Sequence, residues 1–218
     1  MPATLDLTLH PKQGVALTTP ANEVLYGGAA GGGKSHLMRN AAIIWCASIA
    51  GLQVYIFRRI RDDLVKNHME GPKGFRAMLA PWVNAGHVTI VEDEIRFWTG
   101  SKIYLCHCKD EKDIYKYQGA EIHVLLMDEL THFTEIMYRF LRNRLRMVGI
   151  KVPETYQGMF PRILCGSNPG NIGHLWVKKT FFEGAVDGDF FGAEETAEVA
   201  TGDAFGDGVF DLQPGVHF

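Results

Sequence analysis

The chain has 218 residues, of which 46% are hydrophobic and 22% charged, and carries a net charge of −3. Those values suit a soluble globular domain with a sizeable core. No apolar run is long enough to span a membrane, and residues 1–14 lack a signal-peptide core, so the sequence predicts an intracellular protein with no membrane partner.

Charge is unevenly placed. The nine acids from Glu183 onward are accompanied by no Lys or Arg, which leaves a mildly basic body over residues 1–182 and an acidic, Gly-rich tail over 183–218. A basic surplus of this kind is compatible with a nucleic-acid ligand, and equally with a solvated surface. Cys46, Cys106, Cys108 and Cys165 fall inside apolar runs, which predicts free buried thiols. "KIYLCHC" alternates like a strand, so His107 would face away from Cys106 and Cys108, and no second Cys pair offers zinc spacing.

In chain order, "NEVLYGG" reads as a short strand running into glycines. "SHLMRNAAIIWCASIA" places Leu37, Ala41, Ile44 and Ala47 at helical spacing. "LQVYIFRR" is a second strand, and residues 62–86 read as helix in two pieces broken at Gly71-Pro72. "HVTIVE" is a strand, and "IRFWTGSKIYLCHC" a hairpin turning at Thr99-Gly100-Ser101. "IHVLLMDE" and "PRILCGSNPG" are continuous apolar runs of the kind that form buried central strands. Between them "TEIMYRFLRNRLRMVG" reads as one amphipathic helix, and "GHLWVKKTFF" as a short helix. Strands alternating with helices predict an α/β fold with a mostly parallel sheet and a small antiparallel hairpin.

Gly28, Ala29, Ala30, Gly31, Gly32, Gly33, Lys34 and Ser35 match G-x-x-x-x-G-K-[ST], between a strand and a helix. Glycines let consecutive N–H groups point inward at phosphate oxygens, and the following helix adds its positive end. Lys34 would reach the β- and γ-phosphates, and the Ser35 hydroxyl would hold Mg²⁺. Asp128, at the tip of an apolar strand, fits a Walker B carboxylate for Mg²⁺, and Glu129 beside it can polarise an attacking water. Asn168, in the Asn-Pro turn ending another strand, would either sense the γ-phosphate beside Walker B or simply form a turn. Arg58 and Arg59 end the second strand near the same edge, where they would act in cis or pair with Asp62 or Asp63. Arg58 and His36 complete the candidate nucleotide contacts.

"LHPKQ", "YGGAAGGGKS", "IFRR", "RFWTGSKIYL", "YQGAE", "VLLMDE" and "GSNPG", in that order over residues 8–182, resemble the large terminase subunits of tailed bacteriophages. The resemblance implies a P-loop ATPase of the additional-strand (ASCE) type that uses ATP and Mg²⁺ to drive double-stranded DNA into a procapsid. It implies a homo-oligomeric ring at the portal protein, a small terminase subunit as partner, and action in the host cell cytoplasm. By the same likeness Gln13 would contact adenine, and Ser167 and Asn168 would couple hydrolysis to movement. Family members carry a nuclease domain after the motor; residues 183–218 would be a tail or the start of a linker to it, and no nuclease activity is expected of this chain. Where some members carry an arginine finger, this chain reads Tyr117-Gln118-Gly119. A cation acting on a neighbouring subunit's nucleotide would then come from Arg139, Arg142, Arg144 or Arg146, with Arg139, Arg142 and Arg146 on one helical face. Two other classes compete: a different P-loop enzyme, such as a helicase or small-molecule kinase, and a nucleotide-gated assembly module. A kinase would need an Arg-rich lid, a helicase a second motor lobe, and the assembly module would not need Glu129.

Overall fold

A computed structural model describes residues 4–27 and 32–183. Gly28, Ala29, Ala30 and Gly31 of the glycine loop lie outside the described residues, as does the tail beyond residue 183. Among the described residues, seven strands form one sheet: β1 (Glu23–Gly27), β2 (Gln53–Arg58), β3 (Val88–Val91), β4 (Glu94–Phe97), β5 (Lys102–His107), β6 (Val124–Asp128) and β7 (Arg162–Ser167). Their order is β1-β7-β6-β2-β5-β4-β3. The first five run parallel, and β4 and β3 continue antiparallel from β5. The additional strand is β7, which lies between β1, leading to the glycine loop, and β6, ending in the acid pair. The antiparallel end exceeds the single expected hairpin, because β4 pairs with β3 as well as β5.

The helices are α1 (Pro11–Thr18), α2 (Lys34–Ser48), α3 (Arg61–Leu64), α4 (Phe75–Met78), α5 (Ala80–Asn84), α6 (Glu135–Arg142) and α7 (His174–Lys178). A π turn, Val65–Met69, prolongs α3, and a second one, Lys179–Glu183, follows α7. Helices cover both faces of the sheet, so β6 and β7 are buried throughout. Alternation sorts their side chains. Val124, Leu126 and Leu164 join a core with Leu37, Met38 and Trp45 of α2. Leu125, Met127, Ile163 and Cys165 join a second core with Met137, Tyr138 and Leu141 of α6. The same alternation carries Asp128 to the α2 face and Ser167 to the opposite one. All four cysteines are free and buried. No described helix is long and apolar enough to cross a membrane.

One expectation is corrected. The helix predicted over residues 134–149 ends at Arg142, with Asn143 as its C-cap. Beyond it the chain runs beside β6: the Ile122 N–H donates to the Arg144 carbonyl and the Arg146 N–H to the Ile122 carbonyl. Those pairings satisfy backbone groups that a longer helix would have satisfied internally. The helical spacing of Arg144 and Arg146 therefore has no structural counterpart.

Arg162, fully buried at the start of β7, anchors the N-terminal segment to the sheet. Its Nη1 donates to the carbonyls of Thr19 and Ala21 at 2.9 Å each, and its Nη2 to those of Ala16 (2.9 Å) and Leu17 (3.3 Å). These include carbonyls that the last turn of α1 leaves unpaired. The guanidinium lies 5.3 Å from the Trp45 ring centroid, and burial lowers its pKa to about 10. Arg162→Met should cost about 3 kcal/mol or more in urea unfolding, because several buried carbonyls lose their donor at once. A loss below about 0.5 kcal/mol would contradict this anchoring role.

Candidate active site

The site lies at the C-terminal ends of β6, β7 and β2 and the N-terminus of α2. Gly33 is the N-cap of α2 with φ 74°, and its carbonyl accepts 2.9 Å from Gln13 Nε2. A Cβ at Gly33 would fall 2.4 Å from that nitrogen, so any side chain there would strain the backbone angle and displace the Gln13 amide. The Gln13 Oε1 accepts from the His10 N–H at 2.8 Å, and the residue is fully buried. Gln13, for which the resemblance implies an adenine contact, thus holds the Gly33 carbonyl at the start of α2. The His36 Nε2 lies 2.9 Å from the Thr8 carbonyl oxygen, which turns the ring toward the N-terminal segment.

Asp128 is the centre of the site, with a side chain 1% exposed. Ser35 Oγ donates to both of its oxygens at 3.3 Å. Arg58 Nη1 and His68 Nε2 each reach Oδ2 at 3.0 Å. The Arg58 contact follows from register: Ile56 lies opposite Leu126, so the next residues on that face are Arg58 and Asp128. Burial would raise the Asp128 pKa, but the hydrogen bond and charge of His68, then Arg58 and Ser35, outweigh it and hold the carboxyl below its ordinary 3.8.

Glu129 adopts a left-handed backbone, φ 58° and ψ 58°, which costs on the order of 1 kcal/mol for a non-glycine residue. The turn folds its carboxylate toward Asn168, whose Nδ2 donates to Oε1 (3.3 Å) and Oε2 (3.2 Å). Asn168 Oδ1 accepts from Lys34 Nζ at 2.7 Å. One amide thereby joins the loop lysine to the acid beside Walker B. Ser167 and Asn168 are held in turn by Thr131: its N–H donates to Ser167 Oγ (3.3 Å) and its Oγ1 to the Asn168 carbonyl (2.9 Å).

The structure brings Lys34, Ser35, Arg58, Asp128, Glu129 and Asn168 together, and places Gly32, Gly33 and Gln13 beside them. It does not bring Arg142 or Arg146 there. Arg142 pairs with Glu23 at 2.9 Å, and Arg146 with Glu121 at 3.6 Å. Both carboxylates lie at the N-terminal ends of the parallel strands, the opposite edge from this chain's own Gly33 and Lys34. Arg139 pairs with Glu135. Arg144 has no carboxylate partner among the described residues; it donates to the Gln118 carbonyl at 2.9 Å and lies 4.8 Å from the Phe140 ring centroid. Arg59 binds the carbonyls of His132 and Lys109, not Asp62 or Asp63. Sequence reading missed His68, Arg39 and Thr131. His68 lies 60 positions from Asp128 on a π turn, where no spacing rule connects them.

A phosphate-loop strand, an inserted strand that ends just before Asn168 and an acid-tipped β6 define an additional-strand P-loop fold. The family model for the phage terminase large subunit matches residues 21–202, and the chain belongs to that family. Among solved structures, large terminase from the thermophilic bacteriophage D6E in complex with ATP-γ-S is similar at TM-score 0.60 and 16% identity, over 86% of this chain and 44% of that one. The HK97 bacteriophage large terminase gives 0.58 and 11%, over 88% and 41%. The N-terminal domain of the DNA packaging ATPase from bacteriophage phi29 gives 0.52 and 14%, over 88% and 98%. This chain thus spans less than half of the D6E and HK97 proteins. No curated protein sequence matches it.

The donor set fits a hard divalent cation such as Mg²⁺: one hydroxyl and one ionised carboxylate, 3.3 Å apart, with the remaining ligands left to phosphate and water. Because the Asp128 pKa is lowered on folding, its ion pairing stabilises the protein fully above about pH 4 and is lost as pH falls through the folded value. Urea unfolding of wild type and Asp128→Asn should show the wild-type advantage at neutral pH and its shrinkage below pH 3.8. A difference independent of pH would contradict the ionised, paired carboxylate.

Proposed function

We propose that this chain is the ATP-hydrolysing motor part of a terminase large subunit that drives double-stranded DNA into a viral procapsid. The observation that carries the reading is the Lys34–Asn168–Glu129 chain beside the Ser35–Asp128 pair. It supplies a phosphate-binding cation, a γ-phosphate sensor and a base at one strand edge. The D6E protein's complexes with ADP and ATP-γ-S support ATP as the nucleotide.

The triphosphate would lie on the loop and the N-terminus of α2. Lys34 exchanges Asn168 Oδ1 for oxygens of the β- and γ-phosphates. Asn168, released on one side, keeps its amide on Glu129 and so orients the carboxylate. Glu129 accepts a hydrogen bond from a water and takes its proton as the water oxygen attacks the γ-phosphorus. The bond to the β-phosphate oxygen breaks, and ADP and phosphate leave. Mg²⁺ held by Ser35 and Asp128 would neutralise charge on the β- and γ-oxygens. Thr131, bonded to both Ser167 and Asn168, carries any shift of that turn into the segment before α6.

As a packaging motor, the chain would work as a ring at the portal protein with a small terminase subunit, in the host cell cytoplasm. Its grip on DNA would be through Lys and Arg to phosphates, and so steeply salt-dependent. A cation from the 139–146 segment of a neighbouring subunit would complete the site. Arg142 and Arg146 would first have to leave their carboxylates, whereas among the described residues Arg144 has none to leave.

Glu129→Gln should bind ATP yet hydrolyse it about 100-fold or more slowly, in a phosphate-release assay with a binding control. Undiminished turnover would remove Glu129 as the base. Lys34→Ala should lose nucleotide binding or hydrolysis, and normal activity would end the phosphate-loop assignment. Rings mixed from Glu129→Gln subunits and subunits with an Arg→Ala change in 139–146 should recover partial turnover. No recovery with any of the four arginines would place the cation elsewhere.

A further inference from the structure

We infer that His68 is a positioning residue for the divalent cation: by holding Oδ2 of Asp128 it leaves Oδ1 for a metal beside Ser35, and thereby sets metal affinity. This rests on the reading that Ser35 and Asp128 hold the metal. A terminal carboxylate has a broad, roughly two-fold torsion, so burial alone does not choose which oxygen is left for a metal. Two donors on one oxygen do choose. His68 Nε2 and Arg58 Nη1 both sit on Oδ2, while Ser35 Oγ stands 3.3 Å from each oxygen and is, among the described residues, the hydrogen-bond partner of Oδ1.

The two donors are not equivalent. Arg58 is long and 15% exposed, at the rim where a nucleotide would enter. The His68 side chain has no exposure and ring-stacks on Phe75, with centroids 6.5 Å apart. The residue before it is pinned: the Asn67 carbonyl accepts from Arg39 Nη1 at 2.6 Å, and Arg39 is itself buried. His68 therefore presents Nε2 from a fixed wall. An ionised carboxylate only accepts, so Nε2 carries the hydrogen. Nδ1 is buried and has no hydrogen-bond partner among the described residues. An apolar ring could fill the same space on Phe75 without that buried polar atom, so the contact that distinguishes imidazole here is the one to Asp128.

The test is Mn²⁺ binding with ATP-γ-S, followed by electron paramagnetic resonance on the whole chain, beside calorimetry of ATP-γ-S binding in EDTA. His68→Leu should weaken Mn²⁺ binding about tenfold or more and leave metal-free nucleotide affinity unchanged. His68→Gln, whose amide nitrogen stands near the place of Nε2, should restore most of the affinity. His68→Asn, whose amide falls short at the place of Nδ1, should not. Wild-type Mn²⁺ affinity in His68→Leu would overturn the inference, as would an equal loss of metal-free nucleotide binding. If His68→Leu does not fold, the Gln and Asn variants decide it, and equal affinities in those two overturn it. Asp128→Asn separates the two levels of the argument. Unchanged Mn²⁺ affinity there would overturn the metal assignment together with the inference. Loss there, with His68→Leu unaffected, would overturn the inference alone.

Discussion

An ionised carboxylate buried at the end of an apolar strand is the constraint on which the site depends. Such a charge costs several kcal/mol unless donors surround it. Asp128 is 1% exposed, and its donors come from three different elements: Ser35 from α2, Arg58 from β2 and His68 from the π turn after α3. Each must be in place for the others to be satisfied. Strand alternation and the β2–β6 register bring Arg58 there without any loop adjustment. The π turn brings His68, and buried Arg39 holds that turn through the Asn67 carbonyl. The cluster that would receive a metal is thus also a point where α2, β2, β6 and the α3 region lock together.

A second set of bonds runs across the opposite edge of the same site. Lys34, Asn168 and Glu129 form one chain, and Thr131 ties the Ser167–Asn168 turn to the residues after β6. The chain continues outward. The Gly173 N–H donates to the Thr131 carbonyl, and Trp176 Nε1 donates to the Phe133 carbonyl. At Gly173 a Cβ would meet the carbonyl oxygens of Phe133 and Thr131 at 2.7 and 2.8 Å, which only glycine avoids. Trp176 stacks on Tyr138 of α6 with centroids 5.0 Å apart. A phosphate that takes Lys34 from Asn168 would therefore alter a bonded path leading to α7.

Much of this was legible in the sequence, for identifiable reasons. The apolar runs of β6 and β7 could only be central strands, and their polar ends, Asp128 and Asn168, had to emerge at one edge of a parallel sheet. The strand–glycine–helix order placed Lys34 and Ser35 at the same edge. Contacts between residues distant in sequence were not legible. His68 reaches Asp128 through a π turn that no periodicity announces, and Gln13 clamps Gly33 through the fold of α1. The helix after β6 was overread because Leu141 and Leu145 keep helical spacing. Leu145 instead bridges to Ile122, just before β6. Arg142 and Arg146 were placed by that spacing, and ion pairs with Glu23 and Glu121 hold them at the far edge.

The most direct test is a crystal structure of the chain with ATP-γ-S and Mg²⁺. The account predicts Lys34 Nζ moved from Asn168 to the terminal phosphate, the metal between Ser35 Oγ and Asp128 Oδ1, and Glu129 within one water of the γ-phosphorus. A nucleotide bound away from the loop, or Lys34 still on Asn168 with the triphosphate in place, would contradict it.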